Sequence, residues 1–587
     1  MGCDRIISPD TVNAMIANGD IVVIVEEDVL RLNSWLNKHP GGSLVISHMV
    51  GRDATDEITA YHTEHTMRTM KAYRLGRKPR GPWTNLTPPL RGGVFHTETQ
   101  AGEEPEVAEI RVLDQEKELV EGGYSSGVSR VPSYYQLHGP SLSLEQPEYA
   151  TRSQVTSQRV VARGGASHFG DGTVTSKSRA GGVKFIESQI ALQPEEWTEW
   201  AIQQGKLNDR RHFPSLNSDI QGDIVRKYRL LHRRVQEEGL YNCPYFEYGK
   251  EIARYTSLFG TFLYTLSHGW YITSAVFLGL FWHQIMFTAH DAGHRAITSI
   301  FIVDTLIGLF VADFCCGLSL GWWKSSHNVH HLITNMPEHD PDIQNLPLFA
   351  TCPSFFKSLR SSYYDFTFGW DTVAEFLVPY QKYTYYPVMG IARFNLYLLS
   401  WLHVLSSKSS ALGTSKAWWI RPTEIIFMAC YWFMFGYLLL WHILPTWTIR
   451  VAFVLVSHIV TMPLHVQITL SHWGMSTSAL GEDESFPQRQ LRTTLDVDCP
   501  AWLDFIHGGL QFQAIHHLFP RVPRHNLRKA QVMVREFCAD TGIPYSILGF
   551  TDGNRKVIGR LDEVSKQVTM LVHCQEYMAE TGESGLH

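Results

Sequence analysis

Three short stretches in the second half of this chain hold histidines at spacings that place imidazoles on one helix face. HDAGH sets His290 and His294 at i and i+4, and HNVHH sets His327, His330 and His331 at i, i+3 and i+4. QAIHH repeats that spacing with Gln513 in the first place, followed by His516 and His517. Side chains three and four apart stack on one side of a helix, so each stretch reads as a ligand face. Imidazole suits iron, zinc or copper, whereas magnesium and calcium want an oxygen set that these stretches lack. Seven such histidines exceed what one tetrahedral zinc can use, which argues for two metals. His472, in TLSHWG, is an eighth candidate, and a polar helix cap is the other reading of its position. His339 in EHDPDIQ stays open, because Asp340 and Asp342 could orient ligand imidazoles by hydrogen bonding. His268, His283, His442, His458 and His465 lie within or at the ends of apolar runs and read as structural.

A second constellation lies near the start. In WLNKHPGGSLVISHMVGRDATDEITAYHTEH, Pro40 stops a helix after His39, and Gly41 and Gly42 let backbone approach a flat ligand. His62 follows about one helix-loop-helix later, so His39 and His62 could clasp a haem iron from opposite sides, with His65 as the runner-up. No CxxCH exists, so such a haem would be held without covalent bonds. Asp53, Asp56, Glu57 and Glu64 would ring the haem edge and could steer a basic reductase.

These groups need elements to position them. The chain has 587 residues, 44% hydrophobic and 18% charged, which suits more than one domain. A formal net charge of -6 gives no basic stripe, so no nucleic acid is expected as a partner. Nine cysteines without CxxC spacing suggest reduced thiols facing a cytosolic environment. No basic, apolar and small-residue signal opens the chain, so the N-terminus is expected to stay cytosolic.

Residues 1-82 alternate apolar runs such as IVVIV with helical stretches and read as a small α+β domain. Residues 83-185 turn rich in Gly, Ser, Thr, Gln and Glu and read as a disordered, flexible linker, able to span roughly 50 to 60 Å. Residues 186-250 read as a cytosolic helical region ahead of the membrane, 251-550 as an all-α integral membrane domain, and 551-587 as a tail. Within the membrane domain, 258-289 is too long for one span and suits two short helices turning near Ser267 to Gly269. Residues 424-444 and 451-470 are each close to the ~20 residues that cross a bilayer. Four transmembrane helices in two hairpins follow, capped by the histidine stretches. Basic flanks place both termini and the histidines on the cytosolic side. The stretches 297-321 and 378-405, broken by Asp304, Asp313, Pro387 and Arg393, are expected to lie along the interface or to pack on the helices.

The three histidine boxes with hairpins between them resemble those of membrane-bound fatty-acyl and sphingolipid desaturases, and the Gln513 opening resembles the front-end subgroup. HPGG with GRDATDEI resembles cytochrome b5. The likeness implies haem b, two non-haem irons bound by His290, His294, His327, His330, His331, His472, His516 and His517, and O2 as cosubstrate. It implies an enzyme of the endoplasmic reticulum membrane, with NADH-cytochrome b5 reductase as electron donor. Gln513 would be a neutral ligand or a hydrogen-bonding partner near the metals. TSAVFLGLFWHQIMFTAHDAGH and GLSLGWWKSSHNVHHLITNMPEHDPDIQ are similar to fungal sphingolipid Δ8 desaturases, implying a ceramide or other sphingolipid long-chain base as substrate. A Δ5 or Δ6 acyl desaturase is the runner-up, a hydroxylase the third reading, and a membrane-anchored haem electron carrier the alternative of another class.

Overall fold

The apolar run at 21-25 forms the first strand of a small antiparallel sheet. In a computed structural model, which describes residues 5-97, 194-406 and 417-581, strand Val22–Val25 is buried along its whole length. It pairs with Asp28–Arg31, Val23 opposite Leu30, and that strand pairs in turn with Arg74–Arg77. The hairpin turns on Glu26 and Glu27, with Glu26 in the left-handed region at φ 57°. Four short helices flank the sheet: Pro9–Ala17, Ser43–Ser47, Thr55–Tyr61 and Glu64–Met70. Ser8 caps the first by accepting from the Thr11 amide, and Thr63 caps the last by accepting from that of Thr66.

One apolar cluster joins Val12, Ile16, Val22 and Ile24, with Trp83, Leu86 and Phe95 packed on it. The boundary expected at residue 82 therefore falls inside packed structure. Trp83 Nε1 donates to the Gly51 carbonyl at 3.0 Å, and Arg91 to that of His48 at 3.1 Å. The linker expected beyond residue 97 lies outside the described residues. The other cluster, on Val23, Leu30, Ile46 and Met49, continues onto Leu332 and Ile333 just behind the second histidine box. The small domain is thus docked on the larger one.

Helices Pro194–His212 and Ser218–Glu237 occupy the expected pre-membrane region. Tyr245–Ser267 and Tyr271–Gly293 form the hairpin read from 258-289, turning at His268 to Trp270. Among the described residues four helices are long and apolar enough to cross a bilayer: Tyr271–Gly293, Thr372–Leu405, Ile420–Ile443 and Trp447–Leu470. The second of these corrects the interfacial placement of 378-405. Its segment Gln381–Leu405 stays helical through Pro387, and Arg393 turns inward. That guanidinium is fully buried, donates to the Cys316 carbonyl at 2.8 Å and to the Tyr397 hydroxyl at 2.9 Å, and lies 4.4 Å over the Trp282 ring. A charge satisfied inside the bundle does not prevent a span. Tyr245–Ser267, which carries Lys250 and Arg254, is the less apolar partner of its hairpin.

The 297-321 stretch forms Phe301–Leu309 and a π-helical extension, then bends by 115° into Leu320–Leu332, which carries the second box. The supposed tail is largely one helix, Phe550–Thr581. Lys382 pairs with Asp562 at 2.5 Å, and Ser565 donates to the Val378 carbonyl at 3.0 Å, so this helix braces the second span.

Two buried arginines tie these layers together. Arg492 donates to both carboxylate oxygens of Glu484 at 2.8 Å and to Asp209 at 3.2 Å. Arg524, just past the third box, bonds Asp291 inside the first box, Glu251 ahead of it, and the Phe287 carbonyl at 2.9 Å. Removing one partner leaves an uncompensated buried charge, so Arg524→Ala is expected to cost ~3–5 kcal/mol. A large fall in the thermal midpoint of the detergent-solubilised protein checks this, and an unchanged midpoint would refute it.

Candidate metal centre

Box one begins inside the first long span and ends at its cap, His294. Gly293 is required there: a Cβ would stand 2.1 Å from the Trp323 ring, which stacks on His327 at 4.4 Å and meets His290 edge-on. Box two lies on Leu320–Leu332, whose start is capped by Ser319 accepting from the Trp322 amide. Box three is the short helix Gln513–Leu518, and the Ala514 amide at its start donates to Asp496 at 2.7 Å.

Three separate elements thereby deliver their imidazoles to one place, and His472 joins them from beyond the last span. The ligand nitrogens of His290, His294, His327 and His516 lie within 4.8 Å of one another, as do those of His330, His472 and His517. His331 stands between the groups, 2.9 Å from the Nε2 of His327 and stacked on His517 at 4.1 Å. All eight candidates from the sequence converge. Burial, and after it the neighbouring imidazoles, hold His472, His516 and His517 well below the ordinary histidine pKa, hence neutral and able to ligate.

Orienting contacts come from outside the boxes. Asp340, fully buried, accepts from His330 Nδ1 at 2.9 Å and from the backbone amides of Asn335 and Asp342, fixing the ring so that Nε2 faces inward. Gln490 Oε1 sits 2.9 Å from His517 Nδ1, and Asn335 Nδ2 donates to the His472 carbonyl at 2.8 Å. His339 turns away, its Nδ1 3.0 Å from the Ser362 hydroxyl. Asp340 was legible as an orienting residue, but Gln490, Asn335 and Arg524 carried no motif. Asn335 and Arg524 offer only polarity a few residues past a box, and Gln490 offers no local signal.

The fit to metal rests on nitrogens without partners. His290 Nε2, His294 Nε2, His331 Nδ1, His516 Nε2 and His517 Nε2 are buried with no hydrogen bond, a costly arrangement unless something else binds them. Alongside runs a cavity of about 740 Å³ that touches His290, His327, His330, His472 and Gln513 and is otherwise lined by side chains such as Leu318, Leu396, Leu399, Leu464 and Ile468.

In the N-terminal domain His39 and His62 face each other with ring centroids 6.0 Å apart, room for one metal ion between them. Each Nδ1 is engaged by a carbonyl, Gly42 at 3.0 Å and Ile58 at 2.9 Å, leaving both Nε2 atoms to ligate. Burial lowers the pKa of His39, and burial with His39 alongside pushes His62 down to about 3. A Cβ on Gly41 would stand 2.8 Å from His39 Cε1, so this glycine makes room for the ring itself. His65 is exposed on Glu64–Met70. The pocket around the pair is lined by Leu30, Leu32, Val45, Ile46, Met49, Ile58 and Met70, apolar surface suited to a porphyrin. Its far wall includes His294, so this pocket and the histidine cluster share a residue.

The acidic ring expected around the haem edge is largely used by the chain itself. Asp56 pairs with Arg229 at 2.7 Å, and Glu57 lies 3.5 Å from Arg489.

The family described as Fatty acid desaturase matches residues 268–549, and Cytochrome b5-like Heme/Steroid binding domain matches residues 8–78. A protein of Emericella nidulans named Delta 8-(E)-sphingolipid desaturase is 45% identical, covering 100% of this chain and 99% of the relative. Proteins of the same name from Kluyveromyces lactis (43% identical, 98% of this chain, 95% of the relative) and Candida albicans (42%, 96% and 96%) also align over nearly their whole length. The chain belongs to the membrane fatty acid desaturases. This desaturase carries its cytochrome b5 domain on the same polypeptide, which implies haem, and the family implies a di-iron centre that the histidine clusters could hold.

Orienting groups of this kind typically contribute ~10–100-fold to metal affinity, so Asp340→Asn is expected to weaken iron binding to the desaturase by that factor. Iron content after graded chelation, with the haem absorbance unchanged, is the measurement. Equal retention of iron by variant and wild type would remove Asp340 from the site.

Proposed function

We propose that this chain inserts the Δ8 double bond, between C8 and C9, into the long-chain base of a ceramide or other sphingolipid, and that the product is the E isomer. The observation that carries the reading is the apolar cavity running past both histidine groups, taken with full-length likeness to proteins bearing that name. A saturated hydrocarbon offers no polar handle, so regioselectivity depends on where the head is held and how far the tail threads. Asp342, Gln344 and Asn345 in the cavity wall offer partners for the hydroxyl and amide head, and Leu396, Leu399 and Ile468 suit the tail.

His290, His294, His327, His330, His331, His472, His516 and His517 are the proposed iron ligands, and His39 with His62 the haem ligands. When bound, the irons supply oxygen activation and hydrogen abstraction, and the haem supplies one-electron transfer. The protein's part is to keep the imidazoles of His472, His516 and His517 neutral, exclude water and hold the methylene pair against the cluster. Gln513, in the cavity wall beside four of these histidines, is proposed as a neutral group at the metals or a hydrogen-bonding partner to what binds there. Electrons are proposed to come from NADH-cytochrome b5 reductase. Basic flanks and the family support placement in the endoplasmic reticulum membrane with the histidines facing the cytosol.

Expression in a yeast host lacking Δ8-unsaturated bases tests the reading, by mass spectrometry of long-chain bases and fatty acids. Wild type should yield Δ8-unsaturated ceramide bases, His516→Ala none, and Gln513→Ala a reduced amount with iron retained. Unsaturated fatty acids in place of unsaturated bases would move the substrate to an acyl chain, and full activity of Gln513→Ala would strip that residue of its role.

A further inference from the structure

The haem pocket is built from two domains with unequal chemistry. The wall contributed by residues 23-73 is apolar apart from the two ligand histidines, the hydroxyls of Tyr61, Thr66, Thr69 and Tyr73, and Glu57, and it contains no lysine or arginine. The wall contributed by the catalytic domain contains Arg295, Lys324 and Arg521, together with Asn328. Every cation on this cavity thus comes from the other domain.

Their settings are unusual for basic side chains. All three are half-buried, and among the described residues none forms an ion pair. Arg521 is steered onto the mouth by donating to the His62 carbonyl at 2.9 Å, and Lys324 by donating to the Gly293 carbonyl at 2.9 Å. Arg295 leaves the first box in the left-handed region at φ 57°, with its guanidinium 4.7 Å over the Phe301 ring. Three partly desolvated cations converge on one cavity with no carboxylate in ion-pair contact with any of them, since Glu57 in the same wall lies 3.5 Å from Arg489. Such a set suits an anion with more than one negative oxygen. Haem b carries two carboxylates on one edge of an otherwise apolar plate, and the apolar part of this cavity is the haem domain's own.

We propose that Arg295, Lys324 and Arg521 form a carboxylate clamp, so that the catalytic domain completes the haem site by binding the propionates of the haem that His39 and His62 hold. The inference rests on the haem reading of that pocket and goes beyond it by assigning the propionates to residues of the other domain. Haem binding and domain docking then reinforce each other: haem favours the docked arrangement, and docking favours retention of haem. The clamp also fixes the haem edge on the wall that contains His294, one residue before Arg295.

The test uses the full-length protein in detergent, loaded either with protohaem or with haem dimethyl ester, whose carboxylates are blocked. Haem dissociation is followed by transfer to apomyoglobin, and the haem reduction potential by spectroelectrochemical titration. Removing one charge-assisted hydrogen bond should speed protohaem release on the order of tenfold, in Arg521→Ala, Lys324→Met and Arg295→Ala alike. The variants should also show a lower potential, because a nearby cation favours the reduced haem. Lys324→Arg and Arg521→Lys should restore most of the retention. The ester should leave the wild type as fast as protohaem leaves the variants, and the substitutions should not speed its release further. Equal effects on both haems, or release from the wild type that ignores esterification, would overturn the clamp even if every variant proved unstable. Failure of the wild type to bind haem at all would instead overturn the haem reading beneath it.

Discussion

Eight imidazoles packed against one another are the constraint around which this molecule is arranged. Burial, and after it the neighbouring imidazoles, hold His472, His516 and His517 neutral, while against burial the carboxylates of Asp340 and Asp342 push His330 up to about 9. Neutral rings still need their nitrogens satisfied. Asp340, Gln490 and the Thr493 carbonyl, 3.4 Å from His472 Nδ1, engage the outward nitrogens of three rings and turn the others inward. What remains is a set of inward nitrogens without partners in two adjoining groups, the condition two metal ions would relieve.

The surrounding fold supplies rigidity to that cluster from several directions. Arg524 links the first box, the helix before it and the segment after the third box through buried carboxylates, so those three cannot shift independently. Such a network contributes more to placing the boxes than to net stability, since desolvating the charges offsets much of their attraction. In the membrane-facing half, Arg393, Tyr397 and Tyr431 are joined by hydrogen bonds of 2.8 to 2.9 Å, which lets polar groups sit beside an apolar cavity without facing lipid.

The haem-binding domain rests on this assembly through complementary charge. Arg229 and Arg489 take up Asp56 and Glu57, Glu482 lies 3.2 Å from Arg91, and the apolar cluster around Val23 and Leu30 extends onto Leu332 and Ile333. Acidic residues that look from sequence like a docking face for a separate protein are here partners of the same polypeptide. The shared wall at His294 places the two redox sites side by side.

Much of the chemistry was legible in the sequence because it depends on local periodicity. Histidines at i, i+3 and i+4 share a helix face in any fold, HPGG announces its own turn, and twenty apolar residues announce a span. Asp340, ten residues from His330, was legible as an orienting group, but Gln490 and Arg524 were not, because they act across gaps of 27 and 233 residues that no local pattern encodes. For the same reason, Arg393 argued against a span until Cys316, Tyr397 and Trp282 were seen around it, whereas His62, already set above His65 by spacing, is the one that faces His39 while His65 faces solvent. The sequence by itself determined which side chains can do chemistry and how they are spaced along a helix. Tertiary structure alone decided which distant groups orient them, because burial and partnership are properties of the packed chain.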